Sequence, residues 1–504
     1  MTDLMPTAGA PTRAAAAPRA RVVVAGGELA APEIEVRNPA RRSEVVGSVA
    51  MGTAEHVDRA VAAAHAALPG WSALSPAERA GRLAEAAAAL DPHLAHLAEL
   101  LTREQGKVLW ESRVDVGGAA HILRYYAGLA DHLAERVLRE DARGTVYLGR
   151  RPIGVTGVIV PWNSPVYLAF LGIAPALLAG NSVVVKPSEL APLALCEVLR
   201  VLSDQLPAGV VNVVPGAGEA GGALAAHPQV RKVFFTGSTA TGKQVMRDAS
   251  GNLKSVSLEL GGNDPALVLE SARVDDRLVR ELVAGSFAAS GQVCFDVKRI
   301  YVHAAHYADF VERFTAAVDE IVVGDGLDPR TTMGPVNNVS AHERLTGLMA
   351  RTRKSGATVR ELGTRLDPAG WDDGLFLLPT VVTDVDPGAE VVVTEQFGPV
   401  VPVLPFSDDE QALAMANATE FGLGASVWSE DRAHALSVAR RIESGSVFLN
   451  VHRIGASDVA MPFGGVKGSG LGRGHGLPAL DACTELQTVA DHVDVSHFPG
   501  PQPG

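Results

Sequence analysis

The sequence has few cysteines, and their spacing suits neither a disulfide framework nor a metal site. Three of its 504 residues are cysteine, at Cys196, Cys294 and Cys483, which is too few to staple so long a chain. None forms a Cys-x-x-Cys pair or stands beside histidines as zinc sites require. We therefore expect free thiols in a reducing compartment, and no metal.

The sequence also lacks an excess of basic residues and a long apolar run. A net charge of −13 argues against unspecific binding to nucleic acid or to an anionic membrane. No uncharged apolar run reaches the roughly 18 residues of a membrane-spanning helix, and the first 20 residues lack a signal-peptide core. These absences predict a cytoplasmic protein. Residues 1–20 are rich in Ala, Pro, Thr and Arg, which predicts a disordered tail.

The chain is long enough for more than one hydrophobic core. Its 504 residues exceed the roughly 250–300 at which a single core stops growing, so two or three domains are expected. From His56 to about Leu138 the pattern is helical. Within it, Ser75 precedes Pro76 and an acidic first turn at Glu78, which predicts a capped helix start.

The remainder alternates between short Val/Ile-rich runs and Ala/Leu-rich or amphipathic runs. One such set lies between Gly154 and Pro265, and a second follows from about Asp264. This alternation is typical of βαβ units and predicts two doubly wound parallel sheets with a cleft between them. Residues 145–151 and 484–489 alternate like exposed edge strands.

Several motifs stand in one order along the chain. Cys294 lies in the run Gly-Gln-Val-Cys-Phe, and Glu259 lies in the earlier run Ser-Leu-Glu-Leu-Gly-Gly. The other motifs are Pro161-Trp162-Asn163, Lys186-Pro187-Ser188-Glu189, the run FTGSTATG at 235–242, Glu395-Gln396-Phe397-Gly398-Pro399 and Pro462-Phe463-Gly464-Gly465. This order resembles the NAD(P)-dependent aldehyde dehydrogenase superfamily, from roughly residue 30 to residue 490.

The resemblance implies a domain organisation. It implies an aldehyde dehydrogenase-like α/β fold with an NAD-binding domain at 21–132 and 153–263 and a catalytic domain at 264–460. Segments 133–152 and 480–495 would form a small bridging β-hairpin that pairs across subunits. We therefore expect a homodimer or a homotetramer.

The resemblance also implies a catalytic set. Cys294 would be the nucleophile, since a free thiol has a pKa of about 8.5 and can be activated by its surroundings. Asn163 would bind the developing oxyanion together with the backbone N–H of Cys294. Glu259, which has apolar neighbours, would activate the water that releases the product. Cys196, within an apolar helical run, is interpreted as structural.

The run 232–242 predicts a strand, a tight turn and a helix. Taken alone, its glycines indicate either a turn or a phosphate site. The resemblance favours the phosphate site, with Gly237 allowing close approach and Ser238 contacting the pyrophosphate of NAD.

Other residues are assigned to the cofactor by resemblance. Lys186 would contact the adenosine ribose, and Glu189 would repel the 2′-phosphate of NADP, so NAD is favoured over NADP. Without that context, the two would be a solvated surface pair. The remaining assigned residues are Pro161, Trp162 and Ser188, with Glu395 and Phe397 at the nicotinamide ribose and ring.

The substrate pocket is where the sequence departs from the family pattern. Ser164 replaces a frequently aromatic residue, and Asp296, whose role is open, occupies a position often held by alanine. Residues 166–171 carry no arginine of the kind that semialdehyde-oxidising members use to hold a second carboxylate. Arg453, His452 or Lys298 could supply that charge from elsewhere in the chain. Asp296 could pair with Lys298 or Arg299. The predicted pocket residues are Ser164, Leu168, Leu171, Phe295 and Phe463.

These features predict an NAD-dependent dehydrogenase for an apolar or aromatic aldehyde. The alternatives are a semialdehyde dehydrogenase and a CoA-acylating aldehyde dehydrogenase, a class that commonly lacks the glutamate at the position of Glu259. A more distant alternative is a non-catalytic protein that keeps the NAD-binding fold.

Overall fold

The computed structural model describes residues 17–491. The strands are β1 (Arg19–Ala20), β2 (Val22–Val24), β3 (Gly27–Leu29), β4 (Glu33–Asn38), β5 (Arg41–Ala50), β6 (Arg136–Asp141), β7 (Gly144–Pro152), β8 (Val155–Ile159), β9 (Val183–Lys186), β10 (Val211–Val213), β11 (Val230–Thr236), β12 (Ser255–Glu259), β13 (Asp264–Val268), β14 (Val297–His303), β15 (Val322–Val323), β16 (Thr358–Glu361), β17 (Thr364–Arg365), β18 (Thr380–Thr383), β19 (Val400–Phe406), β20 (Gly424–Trp428), β21 (Ser446–Leu449), β22 (Gly470–Leu471) and β23 (Thr484–Asp491). The α-helices are α1 (Ala54–Ser72), α2 (Pro76–Leu90), α3 (Leu94–Gln105), α4 (Leu109–Ala127), α5 (Pro165–Ala179), α6 (Leu193–Ser203), α7 (Gly218–Ala226), α8 (Thr239–Ala249), α9 (Asp276–Phe287), α10 (Tyr307–Asp319), α11 (Val339–Lys354), α12 (Glu390–Val393), α13 (Asp409–Asn417), α14 (Arg432–Ala439) and α15 (Gly476–Asp481).

The first large sheet has the order β22-β12-β11-β8-β9-β10-β2-β3. Its five central strands are parallel. At the edges, β22 pairs antiparallel with β12, β2 pairs antiparallel with β10, and β3 pairs antiparallel with β2. Alternate residues bury opposite faces, as the period of two in a strand requires. Val158 and Phe234 join the core formed with α2 to α6, whereas Ile159 and Phe235 join the core formed with α1, α7 and α8. The sheet is therefore covered on both faces.

The second large sheet has the order β16-β18-β19-β14-β13-β20-β21. Each pair of adjacent strands in this sheet is parallel except the pair β16–β18, which is antiparallel. It is also covered on both faces, because Tyr301 packs with α11, α13 and α14 while Ile300 packs with α9 and α10. The predicted pair of doubly wound sheets is confirmed.

A third sheet contains the two segments that the sequence indicates as exposed strands. β7 pairs antiparallel with β23, from Thr484 opposite Pro152 to Asp491 opposite Thr145, and β6 pairs with the other edge of β7. The hairpin is thus part of a three-stranded sheet within one chain. Its exposed apolar side chains are Val137, Leu138, Leu486 and Val489.

The helical stretch and its cap agree with the sequence, and the N-terminal segment does not. Ser75 Oγ accepts from the backbone N–H of Glu78 at 3.2 Å, and the Glu78 carboxylate accepts from the Ser75 N–H at 2.7 Å. β1 pairs with β5 and buries Ala20, so regular structure begins inside the predicted tail. Residues 1–16, and 492–495 of the predicted bridging segment, lie outside the described residues. No helix within 17–491 is long and apolar enough to cross a membrane.

Candidate active site

The register of the parallel strands aligns several predicted residues at one edge of the first sheet. Ile159, which precedes the Pro-Trp-Asn motif, lies opposite Lys186 and Phe235, and Thr236 lies opposite Glu259. Five residues after Glu259, at Asp264, β13 begins in the second sheet. The carboxyl edge of the first sheet therefore meets the amino edge of the second, which is where ligands bind in open α/β sheets.

A cavity of about 150 Å³ lies at this junction. It brings together all the side chains predicted to be catalytic or to form the substrate pocket. They are Asn163, Ser164, Leu168, Leu171, Glu259, Cys294, Phe295 and Phe463.

Cys294 is held by an unusual loop between α9 and β14. Ala289 and Ser290 have φ values of 43° and 61°, in the left-handed region that L-residues rarely adopt. Gly291 follows with φ 70°, and a Cβ there would lie 2.2 Å from the carbonyl oxygen of Gly398. The backbone therefore requires glycine at this point, and the loop delivers a half-buried thiol to the cavity. Burial raises the pKa of that thiol, as do nearby carboxylates, first of all that of Glu395.

Asn163 lies in the loop between β8 and α5, and its side chain is buried. Its Nδ2 donates to the carbonyl of Gln292 at 2.9 Å, two residues before Cys294. An amide nitrogen has two N–H groups, so one remains to bind a substrate oxygen. Asn163 is thus fixed against the nucleophile loop.

Glu259 is the last residue of β12, and its Oε2 is buried without a hydrogen-bond partner among the described residues. Its carboxylate lies between two glycines: a Cβ at Gly464 or Gly474 would be 2.8 Å or 3.1 Å from Oε1. Burial raises its pKa to about 8, while Arg473 acts in the opposite direction. A carboxyl group with this pKa is suited to general-base catalysis near neutral pH.

Aromatic rings form one wall of the cavity. Phe295 meets Phe463 edge to face, with ring centroids 5.6 Å apart, and Phe463 stacks on His475 at 5.2 Å. Burial lowers the pKa of His475 to about 4, so its ring is neutral at physiological pH. Tyr167 and Ile454 complete the wall. His475, Tyr167 and Ile454 were not predicted from the sequence.

The sequence also did not predict a buried ion pair that lines the cavity. Lys107 Nζ donates to Asp115 Oδ2 at 2.8 Å and to the carbonyl of Asn163 at 2.7 Å. Asp115 Oδ1 accepts from the backbone N–H of Tyr167 at 2.7 Å. Glu111, one turn before Asp115 on α4, accepts from the N–H of Ala289 at 2.7 Å. Acidic residues four apart on a helix were the signal that could have revealed this face.

The predicted adenosine-binding residues follow β9. Lys186 ends this strand and is buried, which lowers its pKa, and its Nζ donates to the carbonyl of Gly216 at 2.8 Å. Ser188 Oγ donates to the carboxylate of Glu189 at 3.3 Å. An ammonium has three donors, so Lys186 retains N–H groups for a ribose hydroxyl.

The predicted phosphate site lies between β11 and α8. A Cβ at Gly237 would lie 2.5 Å from the ring of Phe235, so only glycine fits the turn. Ser238 is the N-cap of α8, and its Oγ accepts from the N–H of Thr241 at 3.2 Å. The N-terminus of this helix is open to an anion.

The residues predicted to hold the nicotinamide lie close to the nucleophile. Glu395 Oε1 accepts from the N–H of Gly262 at 3.1 Å, and burial raises the pKa of Glu395. Trp162, which follows Pro161 in the loop after β8, packs edge to face against Phe397 at 5.7 Å. These donors, acceptors and rings suit a dinucleotide that extends from β9 to Cys294.

The three charged residues considered as partners for a second substrate carboxylate do not line the cavity. His452 is fully buried and contacts the carbonyl of Phe295 at 2.8 Å, so it does not reach the cavity mouth. Arg453 pairs with Glu281 at 2.8 Å and lines a neighbouring cavity instead. Lys298 donates to Gly291 and does not line the catalytic cavity.

Asp296 was expected to pair with Lys298 or Arg299. Both its oxygens are buried without a hydrogen-bond partner among the described residues. Arg299 instead donates to the carbonyls of Asn263, Met415 and Ala416. Burial raises the pKa of Asp296 well above its usual range, which favours a neutral carboxyl group.

The chain is similar to several known proteins over most of its length. A family model described as aldehyde dehydrogenase family matches residues 28–489. Geranial dehydrogenase of Castellaniella defragrans is 38% identical over 482 residues, which cover 93% of this chain and 98% of that protein. Betaine aldehyde dehydrogenase of Vibrio vulnificus is 35% identical over 466 residues, covering 92% and 95%. The crystal structure of Staphylococcus aureus betaine aldehyde dehydrogenase with NAD+ matches with a TM-score of 0.90 and 32% identity, covering 95% of this chain and 96% of that one.

Proposed function

The chain belongs to the aldehyde dehydrogenase family, and from this premise we propose that its substrate is an apolar or aromatic aldehyde. It is an NAD-dependent oxidoreductase that oxidises an aldehyde. The proposal includes the substrate class, the residue roles and the domain boundaries given above.

The observation that carries the substrate proposal is the lining of the cavity. Leucine, isoleucine and aromatic side chains dominate it, and its lysine, Lys107, is already paired with Asp115. A second carboxylate on the substrate would be buried without a free cation and beside Glu111 and Glu259, at a cost of several kcal/mol. An apolar tail gains about 0.8 kcal/mol for each methylene that is buried. The relative named geranial dehydrogenase supports this class.

The proposed chemistry begins at Cys294. After the thiol has lost its proton to solvent, the thiolate sulfur attacks the carbonyl carbon, and the resulting oxyanion receives hydrogen bonds from Asn163 Nδ2 and the Cys294 backbone N–H. NAD supplies the hydride acceptor when it is bound. Loss of hydride converts the tetrahedral adduct into a thioester on Cys294. Each oxyanion donor contributes roughly 2.7–4 kcal/mol in comparable sites.

The thioester is then hydrolysed with help from Glu259. Its ionised carboxylate takes a proton from a water molecule as that water attacks the acyl carbon. The product acid leaves and the thiol is restored. Glu259 lines the same cavity as Cys294, so the geometry supports hydrolysis over acyl transfer to CoA, which needs no such base.

Cofactor preference follows from Glu189. Glu189 is the third residue after Lys186 in the sequence. Its carboxylate, beside the proposed ribose site, would repel a 2′-phosphate. We therefore infer a preference for NAD over NADP. The exposed apolar residues of the β6-β7-β23 sheet support assembly into a homodimer or homotetramer.

A substrate panel tests the proposal. Octanal and benzaldehyde should exceed succinic semialdehyde in kcat/KM by more than about tenfold, equivalent to 1.4 kcal/mol, with NAD ahead of NADP by a similar factor. Arg453→Ala should leave the ranking unchanged, because Arg453 lines a different cavity. A clear preference for succinic semialdehyde, or for betaine aldehyde, would replace the proposed substrate class.

A further inference from the structure

Lys298 is a buried lysine that connects the nucleophile loop to the proposed nicotinamide site. It is the second residue of β14, is 1% exposed, and follows Cys294 by four residues. Its Nζ donates to the carbonyl of Gly291 at 2.7 Å and lies 5.4 Å from the ring centroid of Phe397. One ammonium thus contacts both sides of the site.

The titratable groups around Cys294 are mostly acidic. Glu395, Glu259 and Asp264 raise the pKa of its thiol, and Lys298 lowers it. Lys298 also lowers the pKa of Asp296 and of Glu395. The more distant charged or titratable groups are Glu111 beside Asp296, Arg344 beside Glu395, and His452 at 3.6 Å from Asp264.

Lys298 forms no close ion pair with any of these carboxylates. Its ammonium donates to a neutral backbone carbonyl, that of Gly291, and both oxygens of Asp296 lack a hydrogen-bond partner among the described residues. A buried ammonium without an opposing charge is costly. The surrounding acidic groups, including those that face Cys294, are the groups that can offset its positive charge when they are ionised.

We propose that Lys298 is a positioning residue for the nucleophile: its ammonium fixes the loop at Gly291 and offsets the negative charge around Cys294. This role rests on the proposed function, in which Cys294 reacts as a thiolate. It requires the positive charge as well as the hydrogen bond. A glutamine at this position keeps an N–H donor and loses the charge, whereas an arginine keeps the charge.

The test is the pH dependence of alkylation by iodoacetamide in the full chain without NAD, with the labelled peptide identified by mass spectrometry. Lys298→Gln should raise the midpoint for labelling of Cys294 by about one pH unit, a tenfold slower reaction below the midpoint. Lys298→Arg should stay near wild type. The control Lys354→Gln changes an exposed lysine at the end of α11 and should have no effect.

A midpoint that is unchanged or lower in Lys298→Gln would overturn the inference while Cys294 kept its assignment. Labelling of a different residue in the wild type would overturn the nucleophile assignment and this inference with it. If Lys298→Gln does not fold, the double variant Lys298→Gln/Glu395→Gln removes one charge of each sign. Its midpoint should lie close to the wild-type value, and a midpoint about one pH unit or more above wild type would contradict the balance of charges.

Discussion

At the residue scale, the three cysteines differ in their neighbours more than in their burial. Burial raises the pKa of all three thiols. Cys294 lines the cavity with Glu259 and Asn163, whereas Cys196 packs on the core of the first sheet and Cys483 is fully buried within it. The catalytic assignment therefore rests on what surrounds the thiol.

We expect Cys294→Ala to abolish NAD reduction and to leave NAD binding and the unfolding temperature nearly unchanged. The thiol is half-buried, and the role proposed for it is chemical, with little contribution to packing. Activity below about a thousandth of wild type, roughly 4 kcal/mol in the barrier, is the expected result. Cys196→Ala and Cys483→Ala serve as controls and should stay active when folded. Substantial turnover in Cys294→Ala would place the nucleophile elsewhere.

The pKa of Glu259 predicts the pH dependence of product release. Burial raises this pKa to about 8, and the ionised form is the base. Hydrolysis of the acyl-enzyme should therefore accelerate as pH rises from 6 to about 8 and then level off. Rapid-mixing measurements of the hydrolysis step alone would check this. A rate that is flat across the same range would contradict the assigned base.

At the element scale, the order of strands and helices was predictable, because period-two and helical patterns are local. The positions of the charged residues were harder to predict from the sequence. His452 and Asp296 are polar residues in loops, yet packing against β13, β14 and β20 buries their side chains. The α4 face that carries Asp115 reaches the cavity through its contact with α5 and through Glu111, which binds the nucleophile loop at Ala289. Such placements arise from tertiary packing and leave little trace in a single sequence.

Helix α5 gives a prediction at this scale. It lines the cavity with Leu168 and Leu171 and carries no cation. Leu168→Arg should raise kcat/KM for succinic semialdehyde relative to octanal by about tenfold or more, because a bidentate guanidinium can hold the distal carboxylate. Leu168→Met, of similar volume, is the control and should keep the apolar preference. An unaltered ratio in a folded Leu168→Arg variant would show that α5 does not set specificity.

At the scale of the whole molecule, the site exists because two sheets meet edge to edge. The carboxyl edge of the first supplies Asn163, Lys186 and Glu259, and the loop before β14 in the second supplies Cys294. Neither sheet alone contains both Cys294 and Glu259. The sequence motifs supplied the candidate residues, and the fold explains why they converge.

The most direct test of this account is a rapid-mixing experiment with Glu259→Gln, octanal and NAD. Thioester formation needs Cys294 and Asn163, whereas hydrolysis needs the base. We expect a burst of NADH close to one per active site, followed by turnover reduced at least about a hundredfold, with an octanoyl group on the Cys294 peptide in mass spectrometry. Wild-type turnover in Glu259→Gln, or the absence of both burst and acyl group in a folded variant, would contradict the account.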